Sequence, residues 1–280
     1  MGVVAPTSLD EACTALADEP EAQLLAGGTD FMVEVNFGHR RPSSVIALGN
    51  VADLHGWHGR DGELVLNAGL TYTEMEEEPL ASRLPALAQA ARTVGSPQIR
   101  NAGTIGGNLG TASPAGDTLP VLIALDAVVS LRSASHRRDL PLAEFITGPK
   151  RHALAPGEVI AHVRVPRLRG PQEFLKVGTR NAMVIAVASV AIVVDLDGRT
   201  VRCGLGSVGP VPLRSTEAEA WVAAEIDWDA GRIDDPRSYE TFGHMVAEAA
   251  RPIDDHRSTA AYRRHAIGVC ARRALMRAFP

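Results

Sequence analysis

The chain has 280 residues, of which 45% are hydrophobic, and it carries a net charge of −5 with a pI near 6.0. That is enough apolar material for a sizeable core and, by length, for two compact units. The mildly acidic balance excludes the basic footprint of a nucleic-acid binder, and residues 1–20 lack a basic segment followed by a long apolar run, so no secretory signal is read and a cytoplasmic location is expected.

Ser8, Leu9, Asp10 and Glu11 form a capping box ahead of Leu9, Ala12, Cys13, Leu16 and Ala17 at helical spacing, with Pro20 as the stop. A helix is expected there. Leu24 and Leu25 then run into a glycine turn, Ala26, Gly27, Gly28, Thr29 and Asp30, which precedes the apolar Phe31, Met32 and Val33. Alternation over 45–48 and 64–68 predicts strands, the second entered through the Asp61-Gly62 turn. Glu74, Glu76, Glu77 and Glu78 before Pro79 read as a solvated face. Residues 82–94 carry Leu84, Leu87, Ala88 and Ala91 on one face, which predicts a helix leading up to a second glycine segment.

That segment, 101–117, gathers small residues. Gly103, Gly106, Gly107 and Gly110 are expected to permit positive φ and close approach, while Thr104, Asn108, Thr111 and Ser113 supply neutral hydrogen-bonding groups suited to phosphate oxygens. Either Gly-Gly alone equally suits an ordinary tight turn. Together, two such loops can hold the two halves of one pyrophosphate. Neither matches the G-x-G-x-x-G fingerprint or the G-x-x-x-x-G-K-S/T phosphate loop, so a different nucleotide fold is required.

Farther on, 118–125 is expected to be a short helix, 128–132 a strand, and 141–148 a helix or turn with Phe145 buried. The stretch 166–171, with Pro166, Gly170 and Pro171, reads as a linker and marks a boundary. Beyond it, 184–195, the Asp197-Gly198 turn and 200–205 predict a hairpin. The apolar run 182–194 is too short to cross a bilayer of about 30 Å as a helix and reads as a buried strand. Three helical patterns follow, beginning near a Thr216/Glu219 capping box, near Pro236 and at Ser258. Cys13, Cys203 and Cys270 lie too far apart for a Cys-x-x-Cys pair and read as core thiols, and the nine histidines show no metal-ligand spacing.

LLAGGTD at 24–30 and TIGGNLGTASPAGDTLP at 104–120, followed in order by Glu158-Val159-Ile160, FLKVGTR at 174–180 and DHRSTAAYR at 255–263, resemble the FAD-binding medium subunit of the molybdenum hydroxylases. That family includes xanthine dehydrogenase and carbon monoxide dehydrogenase, and the resemblance spans nearly the whole chain. It implies an α+β fold: an FAD-binding domain of the PCMH/VAO type over 1–170, in two subdomains split near residue 55, then a small antiparallel sheet with helices over 171–280, of the CO dehydrogenase flavoprotein C-terminal type.

The resemblance also implies a site. Leu24, Leu25, Ala26, Gly27, Gly28, Thr29, Asp30 and Phe31, with Thr104, would line the pyrophosphate and ribityl region, and Ile105, Gly106, Gly107, Asn108, Thr111 and Ser113 would belong to the same FAD site. Asp117 would approach a polar flank, Ile160 would pack on the ring, and Lys176 would sit near its polar edge. Val94 stands where some relatives carry an aromatic that stacks on the flavin. Read on their own, Ile160 equally suits core packing, Lys176 a solvated charge and Asp117 a helix N-cap.

FAD is expected to be non-covalent, because neither loop contains a histidine or cysteine, and no catalytic residue or metal ligand is assigned to the chain. Molybdopterin and two [2Fe-2S] clusters are expected only in partner chains, a molybdopterin-binding large subunit and an iron–sulfur small subunit, in a dimer of heterotrimers. Electrons would pass through this FAD to NAD⁺, a quinone or oxygen. A carbon monoxide dehydrogenase-type medium subunit using a quinone, a self-sufficient flavin oxidase and a structural module with empty glycine loops stay open as alternatives. The short C-terminal part offers little material for an oxidase substrate pocket. Thr111-Ala112-Ser113-Pro114 is nearer the wording of purine and N-heterocycle dehydrogenases than the His-Ala-Asp-Pro of carbon monoxide enzymes.

Overall fold

A computed structural model describes residues 2–280. Contacts within the chain divide it into two compact units, each discontinuous in sequence. The first gathers the segments up to Glu74, Ser96–Ala112 and Ala127–Pro166; the second gathers Met75–Gly95, Ser113–Asp126 and Arg167–Pro280.

The first unit is built mainly on two sheets, with a small strand pair, Ile146–Gly148 and Arg151–His152, beside them. Gly2–Val4, Ser44–Ala47 and Gln23–Leu25 pair in that order, all parallel. The helix Leu9–Asp18 packs on this sheet through Leu9, Ala12, Cys13 and Leu16, all buried, and Ser8 caps it by accepting the Glu11 amide. Glu11 closes the box one residue earlier than the capping rule expects, accepting from the Thr7 amide at 2.8 Å. The second sheet is antiparallel, with strand order Trp57–Arg60, Glu63–Asn67, Val159–Pro166, Val128–Arg132, Arg137–Pro141. Asp61 and Gly62 both take positive φ, which turns the first hairpin as the sequence predicts.

Beside that sheet, Glu158 is a buried carboxylate that ties the strand Arg137–Pro141 to its own turn. It accepts from Arg138 Nε at 2.6 Å, from His136 Nε2 at 3.0 Å and from the Ala155 amide at 2.7 Å. The Arg138 guanidinium holds its carboxyl well down, at about 2. A lowered carboxyl pKa contributes stability that is complete above the unfolded value near 4.5 and is lost as pH falls towards 2. Glu158→Gln should therefore unfold at lower urea than the parent at pH 7, by about 2 kcal/mol for the lost charge-assisted bonds. The two midpoints should converge as the pH approaches 2; parallel curves throughout would show that the carboxylate charge contributes nothing.

The second unit is built on an antiparallel meander of Gln172–Val177, Ala188–Asp195, Thr200–Gly206 and Leu213–Arg214. Its central strand, Ala188–Asp195, is buried on both faces, which explains an apolar run without alternation. Ala188, Val190, Ile192 and Val194 face a core shared with the helices Thr216–Glu225, Arg237–Ala249 and Ala260–Ala278. The other face is covered by helices from earlier in the chain, Pro85–Arg92 and Leu119–Ala124. Contact there is so close that a Cβ on Gly204 would fall 1.9 Å from the Pro120 carbonyl oxygen.

Several local expectations change. The run 182–194 becomes a strand only from Ala188; residues 182–187 form a loop, with Met183 at φ 50° and Ile185 exposed. The helix expected over 82–94 is two pieces, Leu80–Arg83 and Pro85–Arg92, because Pro85 cannot donate to the preceding turn and instead opens a new helix. The Thr216/Glu219 capping box does not form. Glu219 is pulled inward to accept from Arg214 and from the Cys203 amide at 2.7 Å. All three cysteines are buried and free. Among the described residues, no helix is long and apolar enough to cross a membrane.

Candidate functional site

The first unit encloses a cavity of about 690 Å³. One wall begins where the strand Gln23–Leu25 ends: the chain turns through Ala26, Gly27, Gly28, Thr29 and Asp30 into the helix Phe31–Asn36. Gly28 has φ 73°, a left-handed conformation that favours glycine. The amides of Gly27, Gly28 and Thr29 donate to no group among the described residues, so three N–H groups are free at the cavity wall.

The facing wall is the second glycine segment, and here the structure corrects the sequence reading. The segment is not a loop; Ile105–Thr111 is an α-helix, and Gly103, Gly106, Gly107 and Gly110 all avoid positive φ. Thr104 caps it, its hydroxyl oxygen accepting from the Gly107 amide at 3.0 Å. Thr104, Gly107, Asn108 and Thr111 recur at helical spacing and line the cavity, while Ile105 and Leu109 are fully buried. The glycines serve close approach instead. A Cβ on Gly27 would stand 1.7 Å from the Ala102 carbonyl oxygen, and one on Gly106 would stand 2.7 Å from that of Ala68. Three backbone segments, 26–28, 102–107 and 68–69, thus touch around the cavity.

The remaining lining comes from Thr71, Tyr72, Lys150, His152, Val159 and Ile160, among others. Glu34 accepts from Lys150 at 2.9 Å and from Arg40 at 2.9 Å, and Lys150 holds its carboxyl below the usual range. The Arg40 guanidinium lies 5.0 Å from the centre of the Phe31 ring. Thr111 donates its hydroxyl to Asp30 at 3.2 Å, joining the two walls. With both cations engaged by Glu34, a bound anion would be met chiefly by the free amides, a backbone nest of the kind that takes phosphate. The volume lies within the range for ligand pockets, and FAD fits these donors: a diphosphate for the amides, and a partly apolar lining for the rest.

Of the residues singled out from sequence, Leu24, Ala26, Gly27, Gly28, Thr29, Asp30 and Phe31 line this cavity, as do Thr104, Gly106, Gly107, Asn108, Thr111 and Ile160. Leu25 and Ile105 pack behind the walls. Val94, Ser113, Asp117 and Lys176 belong to the second unit. Val94 follows the helix Pro85–Arg92, its amide donating to the Ala91 carbonyl, and Ser113 accepts from the Ala115 amide at 3.3 Å. Asp117 and Lys176 come together there as a buried ion pair: Lys176 Nζ lies 2.5 Å from Asp117 Oδ2 and 3.1 Å from the Thr93 carbonyl oxygen. The N-cap of Leu119–Ala124 is Thr118, so Asp117 is not the cap, and Lys176, 6% exposed, is not a solvated charge. Burial pushes the Asp117 carboxyl up to about 6 despite the ammonium beside it. Sequence reasoning missed Thr71, Tyr72, Lys150 and His152. Thr71 and Tyr72 lead into the short helix Tyr72–Met75, while Lys150 and His152 sit on the turn and second strand of the pair Ile146–Gly148 and Arg151–His152; no local motif marks any of them.

Residues 1–168 match the model of the FAD binding domain in molybdopterin dehydrogenase, and residues 173–278 match the CO dehydrogenase flavoprotein C-terminal domain. The nicotinate dehydrogenase FAD-subunit of Eubacterium barkeri is 36% identical over 228 residues, 77% of this chain and 77% of its own length. The xanthine dehydrogenase FAD-binding subunit of Escherichia coli O157:H7 is 28% identical over 281 residues, 97% of this chain and 93% of its own. Among solved structures, carbon monoxide dehydrogenase from Hydrogenophaga pseudoflava superposes with a TM-score of 0.88 at 28% identity, covering 99% of this chain and 96% of the other. The glycine-built cavity and these likenesses agree: the chain belongs to the family of FAD-binding subunits of the molybdenum hydroxylases, and it is an oxidoreductase subunit.

Proposed function

We propose that this chain passes electrons from the [2Fe-2S] clusters of an iron–sulfur small subunit to NAD⁺, within a cytoplasmic molybdenum hydroxylase whose large subunit binds molybdopterin and oxidises an N-heterocyclic substrate. The observation that carries the reading is the cavity wall with three free amides, closed by Gly27 and Gly106, where a Cβ would run into backbone. FAD bound there would supply the exchange between one-electron donors and a two-electron acceptor. The chain's own part is to hold it: the amides of 27–29 bind the diphosphate, the helix Ile105–Thr111 orients it, and Ile160 packs against the ring and excludes water.

The N-heterocycle is favoured by the Thr111-Ala112-Ser113-Pro114 wording and by the likeness to a nicotinate dehydrogenase subunit. The family resemblance supports a dimer of heterotrimers as the assembly. The second reading is a medium subunit of the carbon monoxide dehydrogenase type, with a quinone as acceptor; the C-terminal match to that enzyme's flavoprotein supports it.

Acid precipitation of the loaded chain should release all the flavin into the supernatant, since no histidine or cysteine stands in either glycine wall. Anaerobic stopped-flow mixing with NADH then tests the acceptor: the flavin band near 450 nm should bleach within seconds. A band still at its oxidised intensity after minutes would rule out NAD⁺ and leave the quinone reading.

A further inference from the structure

His152 lines the cavity, yet the resemblance gives it no part. It ends the short strand pair Ile146–Gly148 and Arg151–His152, whose turn is pinned by the Lys150 amide donating to the Ala112 carbonyl at 2.9 Å. That bond sets the pair against the C-terminal end of the helix Ile105–Thr111, where a Cβ on Gly110 would stand 4.0 Å from Ile160 Cδ1. His152 therefore belongs to the Gly110–Ile160 end of the cavity.

The ring is fixed. It lies nearly parallel to the fully buried Phe145, 12° between planes and 5.9 Å between centres. Its Nδ1 receives the Leu154 amide at 3.4 Å. An amide can only donate, so the tautomer that satisfies this contact has its proton on Nε2. Burial pushes the ring's pKa down, which keeps it neutral at pH 7. Nε2 meets no partner among the described residues and is not among the enclosed polar atoms. The fold thus supplies one neutral N–H donor, held in place, at the Gly110–Ile160 end of the cavity.

We propose that His152 is a direct flavin ligand whose Nε2–H donates to an acceptor atom of the isoalloxazine, a ring carbonyl oxygen or an unprotonated ring nitrogen. The proposal rests on reading the cavity as the FAD site with the ring at the Ile160 end. Its effect is on affinity and on the electronic state of the ring, because a fixed donor stabilises electron density at the atom it reaches.

The test is titration of FAD into the apo chain, followed by fluorescence quenching and visible absorbance. Compared are the parent, His152→Leu and His152→Gln. His152→Leu should bind FAD about three- to tenfold more weakly, the worth of one net hydrogen bond. Its visible bands should move towards those of free FAD, and His152→Gln, with an amide donor, should recover part of both. Parent affinity and parent bands in His152→Leu would overturn the proposal. Weakened binding with unchanged bands would overturn it too, by placing the donor off the ring. A parent chain that takes up no FAD would overturn the underlying reading instead. Should His152→Leu not fold, ¹⁵N-histidine spectra of the parent decide: FAD must shift the Nε2 resonance of His152, and an unmoved resonance overturns the proposal.

Discussion

Gly27→Ala should purify nearly free of flavin and unfold at lower denaturant than the parent. The added methyl would stand 1.7 Å from the Ala102 carbonyl oxygen and 2.4 Å from its carbon, both backbone atoms that no rotamer change can move aside. The two walls must separate, at about 1–3 kcal/mol of stability for overpacking. Separation also moves the amides of 27–29 away from the diphosphate, and each charge-assisted bond lost costs about 1.5–3 kcal/mol. Losing two weakens FAD binding by about a hundredfold or more. Gly28→Ala is the informative neighbour. A Cβ there meets only Leu25 Cδ1 at 3.4 Å and Met32 Cγ at 3.5 Å, so its penalty is the positive φ alone, about 1–2 kcal/mol. Flavin-to-protein absorbance ratios and urea midpoints for both variants check the order. Full FAD occupancy with a normal midpoint in Gly27→Ala would move the phosphate cradle elsewhere.

Why the glycines are there was only half legible in the sequence. Their clustering beside Thr and Asn signalled a backbone that something approaches closely, and both segments do line one cavity. What the letters do not carry is which neighbour makes the approach. In Ile105–Thr111 the glycines were expected to serve left-handed turns, whereas the segment is helical and the approach is by Ala68 and Thr104. Helix propensity argues against three glycines in seven helical residues, and the packing against 68–69 overrides it. The only left-handed residue at that helix's end is Ala112, which no rule would have chosen.

Elements with strong local signals were read well. The Asp61-Gly62 hairpin, the helix capped by Ser8 and the buried strand at Ala188–Asp195 each rest on a few adjacent residues. Partnerships across long separations were not readable. Pro85–Arg92 and Leu119–Ala124 look from sequence like parts of the cofactor domain, yet they pack on the sheet of the second unit. Tyr72 and His152 reach the cavity only through the tertiary fold, one from the helix Tyr72–Met75 and the other from the strand Arg151–His152. The same holds for Asp117 and Lys176, 59 residues apart, each of which had an ordinary local explanation.

That pair gives the second large effect. Lys176→Met should lose about 3–5 kcal/mol at pH 8, because it leaves the Asp117 carboxylate buried without its cation. Asp117 is 7% exposed, its Oδ1 has no partner even in the parent, and its remaining contact to Thr93 Oγ1 is long, at 3.4 Å. The sign with pH follows from its pKa. Burial raises the carboxyl from 3.8 to about 6, so the folded chain holds this proton more tightly than the unfolded one. The group's contribution to stability is therefore greatest below about pH 4 and is lost as pH rises through 6. Lys176 pulls that pKa down, so removing the ammonium raises it further. The deficit of Lys176→Met should then be small at pH 5 and grow as the pH is raised towards 8. The double variant Asp117→Asn with Lys176→Met removes both charges and should recover most of the loss, since a buried pair replaced as a pair is close to neutral. Urea unfolding at pH 5 and pH 8 measures this, and a deficit independent of pH would refute the assignment. Flavin titration of the same proteins addresses the role that the family resemblance gives Lys176. An unchanged FAD dissociation constant and visible spectrum in the double variant would confine the pair to holding the second unit together, whereas a shift in either would tie it to the cofactor.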